Sequence, residues 1–156
     1  MINIDVVSEC YLWDKKIRKK DVFFRSLVSF FPKKYKFIKK KVGLTILLSN
    51  NRRIKRLNKK FRNKNKSTDI LSFPFKKNIN IKKPSYLGDI IISYEFINKP
   101  KALNNLEFKK NLIKIFIHGF LHLLGYDHIK LKDYKKMLAE EKKIYEAIKI
   151  KIAKLV

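Results

Sequence analysis

The chain has 156 residues, with 39 Lys and Arg against 13 Asp and Glu for a formal net charge of +26, yet 46% of it is hydrophobic and 13% aromatic. That apolar content excludes a disordered basic tail, and the single Cys excludes an internal disulfide and a Cys-based zinc finger. No window approaches the ~18 apolar residues of a membrane span, and Met1 to Asp5 lacks the basic-then-apolar order of a signal peptide, so a cytoplasmic protein forming one domain over residues 1–156 is expected.

Taken in chain order, residues 1–7 alternate (Ile2, Ile4, Val6) and predict a short strand. Asp14 to Phe31 predicts one helix, with Ile17, Val22, Phe23, Leu27 and Phe30 inward and Pro32 closing it. Val42 to Leu48 predicts a second strand, and Asn50 or Asn51 can cap a basic helix running to about Phe61. Arg62 to Thr68 is polar and aperiodic, hence a loop, and Ile70 to Phe73 is a short strand stopped by Pro74. Residues 76–84 predict an exposed connection. Gly88 to Ile97 reads as a central strand, apolar almost throughout. Two helices follow. The first runs from about Leu103 to Leu124, and the second from about Lys132 to near the end, with Tyr134, Met137, Leu138, Ile144, Tyr145 and Ile148 inward. With no repeat and no linker, the prediction is a single α+β domain: a small mixed β-sheet packed against helices.

The charge has two readings. It attracts polyanions, nucleic acid first among them, with a steep salt dependence. Equally, 33 Lys against only six Arg, in a chain crowded with Asn and Ile, is what drift in an A/T-rich genome produces on solvated surfaces. Charge by itself assigns no function.

The histidines are more informative. All three fall within eleven residues, from His118 to His128. His118 and His122 lie four apart on a predicted helix, so their rings project from one face, a turn apart, where both can reach one metal ion. On a continuing helix His128 would lie about 15 Å beyond His118. Gly125 can instead end the helix in a left-handed turn and let His128 swing back. Three imidazoles with a fourth position open to water is a catalytic zinc arrangement, in which the ion polarises a phosphoryl or carbonyl oxygen. The spacing matches the metzincin peptidases, but the general-base Glu that those enzymes carry after the first His is here Gly119, which argues against a peptidase.

The string His118-Gly-Phe-Leu-His-Leu-Leu-Gly-Tyr-Asp-His128 resembles the signature of the bacterial YbeY family of rRNA maturation factors, described as metal-dependent endoribonucleases. Leu57-Asn58, Phe61-Arg62 and Thr68-Asp-Ile-Leu-Ser-Phe-Pro74 resemble a second block of that family, and Leu87-Gly-Asp-Ile90 a third. The likeness covers residues 57–93 and 118–141 well, and the N-terminal third only in pattern. Ser67 and Asn65 depart from the usual Pro and Asp.

The resemblance implies that His118, His122 and His128 hold one Zn2+ and that Arg62 acts in RNA cleavage. It further implies single-stranded RNA as substrate in small-subunit rRNA maturation and ribosome quality control, with the small ribosomal subunit, ribosomal proteins or assembly factors as partners. Arg suits the role, because its planar fork matches phosphate oxygens and stays charged. Asp127 either orients the last ligand or caps the following turn. Thr68 and Asp69 are expected to fix the loop presenting Arg62, Ser72 to Pro74 to pack, and Gly88-Asp89 to serve a strand entry. Cys10 and Trp13 read as packing residues, and Glu140-Glu141 belongs to a helix covering the core. The nucleophile stays open between water and the substrate's own 2′-hydroxyl. A non-catalytic, zinc-stabilised rRNA-binding assembly factor and a metallohydrolase of another substrate are the alternatives.

Overall fold

The computed structural model describes residues 2–39, 41–75, 85–100 and 104–152. Its centre is a four-stranded sheet in the order β1 (Ile2–Ser8), β2 (Val42–Ser49), β4 (Ser85–Ser93), β3 (Ile70–Pro74). β1, β2 and β4 run parallel, while β3 pairs antiparallel with β4, placing Ile70 opposite Ile92 and Ser72 opposite Ile90. The sheet is therefore small and mixed and is packed against helices, as expected, and the helices cover both of its faces.

Alternation along the strands divides the apolar residues between two layers. Leu44, Ile46 and Leu48 of β2, Ile90 and Ile92 of β4 and Ile70 of β3 face the main core. Leu47, Ile91, Leu71 and Phe73 face the other way, onto Ile54 and Leu57 of α3 (Asn51–Arg62). The main core is filled by α5 (Asn105–Leu123), whose Phe108, Phe116 and Phe120 are fully buried. Each such ring contributes about 2–3 kcal/mol by leaving water. Phe24 meets Phe116, and Phe31 meets Phe120, each with ring centroids 5.2 Å apart. Asn104 caps α5 by accepting from the Glu107 N–H, and α6 (Leu131–Lys149) packs along the helix.

Several boundaries differ from the sequence reading. The predicted helix over 14–31 is two helices, α1 (Leu12–Lys16) and α2 (Lys20–Ser29), because Ile17 between them is extended. That break resets the helical phase, so Phe23, Phe24, Leu27 and Val28 point inward and Val22 is half exposed. Pro32 begins a short 3-10 turn, Lys33–Tyr35, and does not close α2. The central strand ends at Ser93, and Tyr94–Ile97 forms a helical turn, α4. Here the Glu95 carboxylate accepts from the Asn51 N–H and the Ser93 hydroxyl, an arrangement that straight strand could not make. Gly88 and Asp89 lie inside β4, not at its entry. On α6, Met137, Ile144 and Ile148 are buried, whereas Tyr134 and Leu138 are half exposed, so its inner stripe is narrower than expected. Trp13 is buried as expected and donates to the Ser49 carbonyl at 2.9 Å. The connection expected over 76–84 lies outside the described residues.

Candidate metal centre and cleft

Gly125 has φ +87, the left-handed conformation that its place after a helix demanded. Its N–H donates to the His122 carbonyl, and the Tyr126 N–H to that of Leu121, each at 3.0 Å, which together form a Schellman close. The turn returns the chain, and the His128 ring lies 5.3 Å from that of His118 and 5.0 Å from that of His122. One nitrogen from each of the three side chains falls within a 4.8 Å cluster that could hold a metal ion.

The outer nitrogens of the two helical histidines are already committed. His118 Nδ1 lies 2.7 Å from Glu141 Oε1 on α6, and His122 Nδ1 lies 2.9 Å from the Tyr126 carbonyl. Carboxylates and carbonyls only accept, so both Nδ1 atoms carry the proton, and both Nε2 atoms keep a lone pair. Those two Nε2 atoms face each other at 3.1 Å. Two lone pairs at that distance repel unless a cation or proton lies between them. For metal–nitrogen bonds of 2.0–2.1 Å, a tetrahedral edge is about 3.3 Å, so the separation fits a shared ion. Burial above all, then the repulsion that a proton on His122 would meet from a protonated His118, pushes the His122 pKa below the ordinary imidazole value, against the pull of the Tyr126 carbonyl. That direction favours the neutral form a ligand needs.

Gly119, between the two histidines, faces β3. A Cβ there would lie 2.4 Å from Ile70 Cδ1 and 2.9 Å from Ser72 Oγ. Any longer side chain would have to displace Ile70 and Ser72, so the approach of helix to sheet disfavours a Glu at this position.

Arg62 ends α3 on the far side of the same cleft. A cavity of about 590 Å³ is lined by Arg62, Lys64, Ser72, His122, Asp127 and His128 among others. Arg62 Nη2 reaches the Ser72 carbonyl at 3.4 Å, a long contact that leaves most of its donors free. The loop after it is pinned from within. Asn63 takes a left-handed φ of 55, and the buried Asn58 donates from Nδ2 to the Lys66 carbonyl at 2.8 Å. Asp69 accepts from the Thr68 hydroxyl and the Ile70 N–H, at 2.9 and 2.8 Å, and thus holds the far end of the loop, as the sequence suggested. Asp127 accepts from the His128 N–H at 2.7 Å, a contact that belongs to the turn and also to the last candidate ligand, so both roles considered for it stand.

Glu141, Tyr126 and Asn58 are contributors that sequence reasoning did not single out for the site. For Glu141 a signal existed, since adjacent carboxylates on an otherwise basic helix are out of place unless something holds them.

Comparison with known proteins agrees with this geometry. The family model described as Endoribonuclease YbeY matches residues 10–149. The chain belongs to the YbeY family. Its match to the family extends through the N-terminal third, where motifs alone carried little. The Endoribonuclease YbeY of Pelagibacter ubique is 69% identical over 153 residues, covering 98% of this chain and 100% of the relative. That of Ehrlichia canis is 32% identical over 151 residues, 97% and 95% of the two chains. Among solved structures, the solution structure of TM1509 from Thermotoga maritima is similar, with a TM-score of 0.56, 26% identity, and coverage of 99% of this chain and 93% of that one. No described helix is long and apolar enough to cross a membrane.

Proposed function

We propose that this chain is a zinc-dependent endoribonuclease, specific for single-stranded RNA, that works in the cytoplasm on the 3′ end of small-subunit rRNA and in ribosome quality control. Its partners are the small ribosomal subunit with its proteins and assembly factors. The observation that carries the reading is one cleft lined by both an arginine fork and two of three convergent histidines, in a chain of the YbeY family.

His118, His122 and His128 would hold the ion, which when bound supplies Lewis acidity to a phosphoryl oxygen. Arg62, across the cleft, binds the scissile phosphate through two parallel N–H donors and offsets charge that gathers as the phosphorus is attacked. Lys64, on the same wall, adds attraction without fixed geometry. Glu141 and the Tyr126 carbonyl hold two imidazoles in the tautomer that presents Nε2. The pinned loop from Asn63 to Asp69 keeps the arginine from wandering.

Cleavage of a labelled single-stranded RNA, with zinc content measured in parallel, tests this reading. His122→Ala is expected to lose zinc and cleavage together, and Arg62→Ala to lose cleavage while keeping zinc. Arg62→Lys, which keeps the charge and loses the fork, should fall by about tenfold or more. Undiminished cleavage by zinc-free His122→Ala, or a fully active Arg62→Lys, would overturn it. RNA bound tightly by the zinc-loaded wild type without turnover would put the non-catalytic assembly factor in its place.

A further inference from the structure

Genomic drift explains scattered lysines, but it does not explain where the arginines are. Four of the six, Arg52, Arg53, Arg56 and Arg62, lie on α3, together with Lys55, Lys59 and Lys60, and no Asp or Glu occurs from Asn50 to Thr68. The face of α3 against the sheet is Ile54, Leu57 and Asn58. Arg52, Lys55, Arg56 and Lys59 are exposed on the opposite side, at spacings of three and four that stack them along the helix towards Arg62.

This arrangement works against the free protein. Like charges at those spacings destabilise a helix by about 0.2–0.5 kcal/mol per pair. Arg52 sits in the first turn, where the helix dipole is already positive and α3 carries no acidic residue of its own, the Glu95 carboxylate being taken up by the Asn51 N–H. Among the described residues no carboxylate pairs with Arg52, Lys55, Arg56 or Lys59, whereas Arg53, off this stripe, reaches Glu9 at 3.6 Å. A stripe of about 15 Å, unpaired and ending at the cleft, is suited to a polyanion that enters the cleft.

We propose that the outward face of α3 is the track along which the phosphate backbone of single-stranded RNA runs to Arg62. The inference rests on the proposed nuclease function and adds the route by which substrate is held beyond the reacting phosphate. The apolar face of α3 is spent on the sheet, and the one exposed aromatic of the helix, Phe61, stacks edge-on against Phe73, so the basic stripe itself has no apolar residue to insert into a bilayer, which favours nucleic acid over an anionic membrane surface.

The test is binding of zinc-loaded, full-length protein to a fluorescein-labelled, cleavage-resistant 2′-O-methyl oligouridine 20-mer, followed by anisotropy across a salt series. Arg52, Lys55, Arg56 and Lys59 are all changed to Gln, a good helix former at exposed positions, so the helix persists. A control changes the exposed Lys15, Lys19, Lys33 and Lys39 to Gln and removes the same four charges elsewhere. The α3 variant is expected to bind at least tenfold more weakly at 100 mM salt, with a log–log salt slope shallower by about 2–3, and the control to change less than threefold. Equal losses in both variants would show that bulk charge suffices, and unchanged affinity in the α3 variant would show that the track is elsewhere. Either result overturns the proposal. So would loss of binding to phosphatidylserine vesicles with RNA affinity retained. A wild type that binds this RNA but cleaves no unmodified strand would refute the nuclease reading alone.

Discussion

Replacing Glu141 with alanine removes the acceptor that fixes His118 in the tautomer presenting Nε2 to the other two histidines. The contact is 2.7 Å long between side chains about 30% and 27% exposed, so it is only partly screened by water. A hydrogen bond to a charged acceptor contributes about 1.5–3 kcal/mol, which at about 1.4 kcal/mol per decade corresponds to roughly 10–100-fold in metal affinity, the range usual for loss of a partner behind a ligating histidine. Glu141→Ala is therefore expected to bind zinc 10–100-fold more weakly in competition with a chromophoric chelator. Glu141→Gln, which keeps a neutral oxygen acceptor, should fall between that variant and wild type. The His122→Ala protein provides the reference, since it loses a ligand outright. If Glu141→Ala competes for zinc within threefold of wild type while His122→Ala does not, the glutamate is incidental to the site. If both hold zinc as wild type does, the three-histidine centre itself is wrong.

Gly119→Ala sets two effects against each other. Helix propensity favours alanine by about 1 kcal/mol, whereas a Cβ 2.4 Å from Ile70 Cδ1 and 2.9 Å from Ser72 Oγ brings an overpacking cost of about 1–3 kcal/mol. A net loss of about 1 kcal/mol in urea denaturation is expected, and a more stable variant would show that the helix and β3 are not closely packed. Glu140 is expected to contribute to stability in acid. The Tyr35 hydroxyl above all, with Lys143 and Lys34, overcomes burial and holds its carboxyl at about 2, down from 4.5. Because the folded pKa is the lower one, the stabilisation is complete above about pH 4.5 and drains away as pH falls towards 2, at most about 3 kcal/mol in all. Glu140→Gln should flatten the fall in urea midpoint over that interval, and an unchanged pH profile would count against the assignment.

The local devices of the site were legible because they are encoded within a few residues. His118 and His122 share a helical face by spacing alone, Gly125 announces a left-handed close, and Asn50 announces a cap that the structure shows accepting from the Arg53 N–H. Contacts made across the fold were not legible. Glu141 reaches His118 only because α6 packs along α5, and nothing in the 22 residues between them sets that register. The strand order β1-β2-β4-β3 puts β3 under α5, yet the sequence offered only the unexplained Gly119 as a hint of that approach. Ile17, Phe23 and Leu27 are buried as the sequence predicted, whereas Val22 is exposed because the extended Ile17 restarts the helix. Arg62 was singled out through the family motif, since among so many cations no physical argument from sequence separates one.

The Schellman close after α5 has a consequence for how the centre can assemble. The same few residues aim His128 inward and supply, through the Tyr126 carbonyl, the acceptor that steadies His122. Two of three candidate ligands thus depend on one turn, and adding or deleting a residue between Leu124 and His128 would disturb both together. The length of that short loop is therefore as much a part of the site as the rings it carries.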